Sequence, residues 1–205
     1  HLVLARLPDA PPGTRGISLF VVPKMLVNDD GSVGDRNNVE TVSIEHKLGI
    51  HGSPTCVLSF EESVGYIVGE PNHGMRYMFA MMNQARREVG LEGLGIAERS
   101  YQQALAWAKD RLQGTRKDGS RYPIIEFPDV RRMLLMMKAG AEAMRALAYM
   151  ASAEADRARG AADEAASARH HARVELYTPI VKGWMTELAQ ELTSLGVQIH
   201  GGMGY

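Results

Sequence analysis

Residues 73–114 read HGMRYMFAMMNQARREVGLEGLGIAERSYQQALAWAKDRLQG, without a proline from end to end. Apolar side chains recur at Met75, Met78, Phe79, Met82, Ala85 and Val89, then at Leu94, Ala97, Tyr101, Leu105, Ala108 and Leu112. Steps of three and four residues are the period of an amphipathic helix, so the stretch predicts a single helix over about residues 73–113. At about 1.5 Å per residue, roughly 38 helical residues would make a rod of roughly 57 Å, longer than an ordinary globular helix. Such a rod needs partners along its length, because a helix draws most of its stability from packing an apolar face. Gly90, Gly93 and Gly95 sit in its middle, where each glycine costs about 1 kcal/mol against alanine. They mark places where another backbone or a ligand is expected to come very close.

Beyond this helix, TRKDGSRYP reads as an exposed loop. Pro128 then suits a first helical position, and Asp129 adds negative charge to the positive end of the helix. Val130, Met133, Leu134, Met137, Ala141, Met144, Leu147, Ala148 and Ala151 form an apolar stripe that predicts a second helix over residues 128–158. RARGAADEAASARHHAR is small and charged, which fits either a solvated turn or two of helix or a linker. Its adjacent His170 and His171 point in different directions on a helix, so they read as surface residues rather than metal ligands. Thr178-Pro179 has the form of a cap followed by a first-turn proline, predicting a third helix over residues 178–196. That helix carries Ile180, Val181, Trp184, Leu188, Leu192 and Leu195, and runs out at GVQIHGGMGY, where His200 reads as a turn residue.

Residues 1–70 are a different material. Residues 2–7 and 17–22 are short apolar runs around the turn cluster PDAPPGTRG, and residues 39–45, 56–60 and 63–68 add three more. A meander of about five strands is expected. The fold class is therefore α+β: part of an antiparallel β domain over residues 1–70, then an incomplete four-helix bundle over residues 71–205. An apolar strand opening the chain, and three helices with room for a fourth, make it read as a piece of a larger protein.

Composition excludes several classes. The 205 residues hold 23 basic and 24 acidic side chains, giving no broad electrostatic case for nucleic acid or an anionic membrane. The single cysteine, Cys56, leaves no internal disulfide and suits a reducing compartment. No apolar run approaches the roughly 20 residues of a membrane span, so a cytoplasmic protein is expected. Twelve methionines suit an irregular core or a flexible apolar pocket.

Three ordered segments carry a resemblance. HKLGIHGSPTCVLSFEE resembles the K-x-G-x-x-G-S-x-T-C-x-L-x-F-(E/D) segment of acyl-CoA dehydrogenases, which closes their middle β domain. NQARREVGLEGLGIAERSYQQALAWAKDRLQG resembles their first bundle helix, with its D-x-x-R and R-x-x-F-G elements. VQIHGGMGY resembles the Q-x-x-G-G-x-G-(Y/F) turn that closes the third bundle helix. GIHGSPTC, GLGIAERSYQQAL and IIEFPDVRRML resemble most the branch of that family that includes 3-methylmercaptopropionyl-CoA dehydrogenases.

The resemblance implies FAD as cofactor, an acyl-CoA thioester as substrate, α,β-dehydrogenation of the fatty-acid β-oxidation type and transfer of electrons to an electron-transfer flavoprotein. It implies a homodimer or homotetramer. Arg111 matches the arginine of R-x-x-F-G, which in the family reaches a neighbour's flavin nucleotide; its phenylalanine is absent, since Gln113 runs directly into Gly114. Without the resemblance, Arg111 reads as a solvated cation at a helix end. Gln198, Gly201 and Gly202 match the glycine turn beside the dinucleotide, and Ser53 and Thr55 lie in the segment that borders the flavin in relatives. Arg86 matches the D-x-x-R arginine near the acyl-CoA, with Asn83 where aspartate is usual; otherwise Arg86 reads as half of an ion pair on a helix face. Relatives commonly have a glutamine where Pro128 follows Phe127, so a nucleotide contact is expected to be lost there. No catalytic residue is assigned. The family's base glutamate is expected beyond Tyr205, the alternative position on the first bundle helix is Ala85, and Glu88 lies about 200° further round from Arg86. A noncatalytic helical interaction protein and a same-fold flavoenzyme for a non-thioester such as a nitroalkane are the alternatives.

Overall fold

The computed structural model describes all of residues 1–205 and divides into two compact units, His1–Met81 and Met82–Tyr205. It is an α+β arrangement of small antiparallel sheets and three long helices. No helix is long and apolar enough to cross a membrane.

The first unit holds seven strands: β1 (Leu2–Arg6), β2 (Ile17–Val21), β3 (Met25–Val27), β4 (Val33–Arg36), β5 (Glu40–Ile44), β6 (Cys56–Ser59) and β7 (Tyr66–Ile67). They form three sheets, β1-β2-β7, β3-β4 and β5-β6, with Leu2 opposite Val21 in the first. The expected five-strand meander lacks the β3–β4 hairpin, whose signal is the turn Asn28-Asp29-Asp30-Gly31. There the Gly31 N–H donates to the Asn28 carbonyl at 2.9 Å, and the Ser32 N–H donates to Asp30 Oδ1 at 2.9 Å. Aspartate tends to close such turns with its own side chain. Asn37 ties the hairpin down from a buried position. Its amide donates to the Pro23 and Val64 carbonyls at 2.8 Å each, and its oxygen accepts from the Val64 N–H at 2.7 Å.

The expected long helix is present as α1 (Gly74–Asp110), followed by α2 (Pro128–Arg159) and α3 (Glu164–His200). The core of the second unit joins Leu94, Ala97, Ala104 and Ala108 of α1 to Met137, Ala141, Met144 and Ala148 of α2 and to Val181, Met185, Ala189 and Leu192 of α3. At Gly90 an added Cβ would lie 2.9 Å from the Val181 carbonyl oxygen, and at Gly93 it would lie 3.3 Å from that of Met185. Gly95 differs from the expectation: nothing lies within 4 Å of its missing Cβ.

Two elements differ from the sequence reading. TRKDGSRYP is not a plain loop but most of a hairpin, β8 (Leu112–Thr115) and β9 (Arg121–Pro123). Its tip closes through Gly119 at φ +86° and through Asp118 Oδ1, which accepts from the Ser120 N–H at 2.9 Å. Its base is braced by Arg116, whose Nη2 donates to both Glu126 oxygens at 2.6 and 2.7 Å. The hairpin also ends α1 at Asp110, short of the expected residue 113.

The third helix begins at Glu164, not at Thr178. Its cap is Asp163, whose side chain accepts from the Ala166 N–H at 2.7 Å. Pro179 therefore sits inside the helix, where it removes a hydrogen bond at a cost of about 3 kcal/mol. Both Pro179 and Glu175, whose carbonyl loses its donor, face solvent. Upstream anchoring offsets the loss. Glu154 of α2 is only 4% exposed and meets His170 Nδ1 at 2.7 Å, Arg157 Nη1 at 2.7 Å and Arg173 Nη1 at 3.5 Å. The expectation of two surface histidines holds only for His171; His170 is partly buried as a carboxylate partner.

Two measurements test this packing. Gly90→Ala should lower stability by about 1–2 kcal/mol, because the clash outweighs the gain in helix propensity. Gly95→Ala should raise it by about 0.5–1 kcal/mol. Urea midpoints that move in the same direction would refute the assignment. The His170 hydrogen bond, then Arg157 and the Arg173 charge, hold the Glu154 carboxyl below its ordinary 4.5. A depressed folded-state pKa gives stability that is fully present above the unfolded value and is lost as pH falls through the folded one. Unfolding followed from pH 6 to pH 3 should therefore show acid destabilisation beginning near the unfolded carboxylate range at about pH 4–5. Glu154→Gln should flatten that part of the curve; an unchanged acid limb would exclude Glu154 as its source.

Candidate functional site

A cleft of about 450 Å³ opens at one end of the second unit, lined from three directions. Trp107 comes from the last turn of α1, and Arg111 and Gln113 from the chain entering and forming β8. Ile124, Phe127, Val130 and Met133 come from the turn before α2 and its first turns. Gln198, His200, Gly201, Gly202 and Met203 come from the end of α3 and the turn beyond. Four of the six residues singled out for the cofactor thus share one wall system.

Arg111 is fixed at its backbone and unengaged at its head. Its N–H donates to the Trp107 carbonyl at 2.8 Å, and its own carbonyl accepts from the Ile124 N–H at 2.9 Å. The side chain is exposed and has no carboxylate partner. The charged and titratable side chains lining the cleft are Arg111 and His200, with no acid among them. A planar guanidinium in that setting favours an anion that can accept two parallel hydrogen bonds, such as a phosphate.

The α3 terminus supplies the opposite wall. His200 Nδ1 lies 2.7 Å from the Gly196 carbonyl oxygen, a contact that requires the proton on Nδ1. The imidazole stacks on the Trp107 indole with ring centroids 5.4 Å apart and planes 23° from parallel. His200 is thus the last helical residue rather than part of a free turn. Gly201 follows at φ 60° and ψ −137°, a region that side chains beyond glycine rarely enter. Its N–H donates to the Gln198 carbonyl, and the Gly204 N–H donates to the Gly201 carbonyl at 2.8 Å. Gly202 has nothing within 4 Å of its missing Cβ, so space beside it is open.

Where a phenylalanine is absent after Arg111, Phe127 and Tyr122 fill in. Their rings lie 5.1 Å apart beneath Gly114, whose missing Cβ would sit 3.2 Å from Phe127 Cζ. Trp107, Phe127, His200 and Met203 were not assigned to the site from the sequence. Trp107 had a usable signal, since it precedes Arg111 by one helical turn; the others depend on which elements meet.

The remaining candidates lie elsewhere. Ser53 and Thr55 sit in the first unit, exposed, on the connection between β5 and β6. Lys47 Nζ donates to the Ser53 carbonyl and, at 3.0 Å, to that of Ile50; the Thr55 carbonyl accepts from the Glu45 N–H at 2.8 Å. Asn83 and Arg86 lie on α1, with Arg86 Nη1 donating to Asn83 Oδ1 at 3.2 Å and Arg87 Nη1 donating to the Asn83 carbonyl at 3.3 Å. The helix separates Arg86 from Asp110 by roughly 36 Å, so these two residues and the Arg111 cleft cannot share one small ligand moiety. Glu88 accepts from Gln84 Nε2 at 2.9 Å, and Ala85 offers no acid. No group of three His, Cys, Asp or Glu side chains is arranged to hold a metal ion.

The glycines of the turn should behave differently. Gly201→Ala should cost about 1–3 kcal/mol through backbone strain, whereas Gly202→Ala should stay within about 0.5 kcal/mol of the parent. Thermal unfolding of the two variants reads the difference, and equal losses would contradict the turn geometry.

Residues 72–205 match the family described as acyl-CoA dehydrogenase, C-terminal domain. The whole chain aligns with 3-methylmercaptopropionyl-CoA dehydrogenase of Ruegeria pomeroyi at 53% identity and with a butyryl-CoA dehydrogenase of Syntrophomonas wolfei at 42%. In both cases it spans 35% of the relative's length. Among solved structures, an acyl-CoA dehydrogenase from Bacillus anthracis complexed with FAD superposes on 99% of the chain with a TM-score of 0.77 at 26% identity, and 33% of that structure is covered. Together with the cleft, the match over residues 72–205 makes this chain a member of the acyl-CoA dehydrogenase family.

Proposed function

We propose that this chain is part of an FAD-dependent acyl-CoA dehydrogenase that introduces a double bond between Cα and Cβ of an acyl-CoA thioester and passes the electrons to an electron-transfer flavoprotein. The observation that carries the reading is the convergence of Arg111 with the Gln198–Gly202 turn on one cleft that contains no acid. FAD, when bound, supplies the acceptor for the hydride from Cβ.

The chain's own residues bind and orient. Arg111 takes the phosphates of the dinucleotide, the backbone at Gly201 and Gly202 lies close to it because no Cβ intervenes, and Gln198 adds a polar side chain. The fit is supported by the unpaired guanidinium and the open space beside Gly202. Ser53 and Thr55 border the flavin, and Arg86 with Asn83 faces the thioester ligand. Asn83 is neutral where the family usually has an aspartate, and it accepts a hydrogen bond from Arg86 Nη1 at 3.2 Å. No base is assigned among residues 1–205: Ala85 carries no acid, and Glu88 is engaged by Gln84.

Relatives named for butyryl and 3-methylmercaptopropionyl thioesters support a short acyl chain as the first substrate to test. The stripe Leu176, Ile180 and Trp184, exposed at 60%, 43% and 41% along one face of α3, supports assembly into a homodimer or homotetramer.

The protein is expected to retain FAD, and Arg111→Gln should weaken that binding at least tenfold, since hydrogen bonds to charged groups contribute about 1.5–3 kcal/mol. Equilibrium dialysis decides it, and unchanged affinity would remove Arg111 from the cofactor site. The 205-residue chain alone should reduce no dye with butyryl-CoA; turnover by it would show that residues 1–205 do hold a base.

A further inference from the structure

The dinucleotide reading uses Arg111, Gln198 and the glycines, but it does not use the aromatic pair beside them. Trp107 and His200 belong to different helices, and their stack joins the end of α1 to the end of α3 inside the cleft. His200 is held twice, by the Trp107 ring and by its own Nδ1–H bond to the Gly196 carbonyl at 2.7 Å. The next residue, Gly201, leaves the helix at φ 60°. The chain direction at the turn therefore depends on where the imidazole is pinned. On the other side of the stack, the carbonyl of Trp107 receives the Arg111 N–H at 2.8 Å. The indole thus holds the turn through its ring, while the backbone beneath it holds the arginine through a helical bond that does not depend on the side chain.

We propose that Trp107, with His200, is a positioning residue for the phosphate-bearing half of a dinucleotide: the stack holds the turn that carries the Gly202 amide at a set distance from Arg111, so that both can engage one anion. This rests on the dinucleotide reading above and adds to it a residue whose role is mechanical. Two groups that must grip the same anion gain affinity only if they are already spaced for it, since any ordering left to the binding step is subtracted from affinity. Neither ring has to touch the ligand.

Trp107 and Trp184 are the only tryptophans, and Trp184 lies outside the cleft, so Trp184→Phe makes Trp107 the sole indole reporter. The probe is ADP, which carries the phosphates without a flavin. In the Trp184→Phe background ADP should change Trp107 emission and saturate. Hydrogen exchange of residues 200–204, read by mass spectrometry without ligand, should be about tenfold faster in Trp107→Leu and near the parent in Trp107→Phe. ADP affinity should fall about tenfold in Trp107→Leu and recover to within about threefold in Trp107→Phe. Unchanged exchange at residues 200–204 in Trp107→Leu overturns the positioning role. Faster exchange with unchanged ADP affinity also overturns it, reducing the stack to a structural contact while Arg111 keeps its part. If the parent binds neither ADP nor FAD, the dinucleotide reading itself fails, an outcome recognisable because the exchange difference survives it.

Discussion

Where α1 meets α3, the Cβ that Gly90 lacks would lie 2.9 Å from the Val181 carbonyl oxygen, too close for any side chain to fit without displacement. The same side of α1 continues with Gly93, Ala97, Ala104 and Ala108, each buried. Small residues at steps of three, four and seven let a helix lie close to its neighbour along several turns. Larger side chains come from the other helices: Met133, Met137 and Met144 of α2, and Val181, Met185 and Leu192 of α3. Unbranched methionine fills the irregular spaces that such a seam leaves. The close approach therefore sets the spacing at the end of the helices, and that spacing brings Trp107 against His200.

This seam also explains what the sequence could and could not reveal. The period of α1 was legible because three and four spacing survives even when the residues are small. Which of its apolar positions are deepest was not: Leu112 lies in β8 and is 48% exposed, while Ala104 is fully buried. Hydrophobic size marks a core candidate, whereas a close helix contact selects against size. Gly90 and Gly95 look alike in sequence, and only the facing backbone distinguishes them.

The ends of elements were the least legible. Thr178-Pro179 has the composition of a helix start, yet Thr178 is buried mid-helix with its hydroxyl donating to the Val174 carbonyl at 2.7 Å. The true start, Asp163, sits in a stretch too polar to show a stripe, and that stretch is tied to α2 by contacts remote in sequence, foremost Glu154 with His170. A local pattern cannot report an interaction sixteen residues away. The β8–β9 hairpin was hidden in the same way, because its strands are short and its polar residues are consumed by Arg116–Glu126 and Asp118–Ser120.

The candidate site was not legible from residue type alone. Arg111 by itself reads as a solvated cation at a helix end. It was the resemblance of its segment and of the Gln198–Gly202 turn to one family that pointed to an anion. Their usefulness, however, comes from how firmly each is held. Arg111 has both backbone groups engaged, one toward α1 and one toward the turn before α2, so its Cα belongs to the rigid part while its guanidinium does not. Gly201 is held by the helix that ends before it. An ion pair formed by such a cation loses little entropy outside the side chain itself, which is the condition under which a solvent-facing charge can bind a phosphate tightly. The hairpin that the sequence reads as a loop is therefore part of the site: it turns a solvated helix-end cation into one with a fixed base.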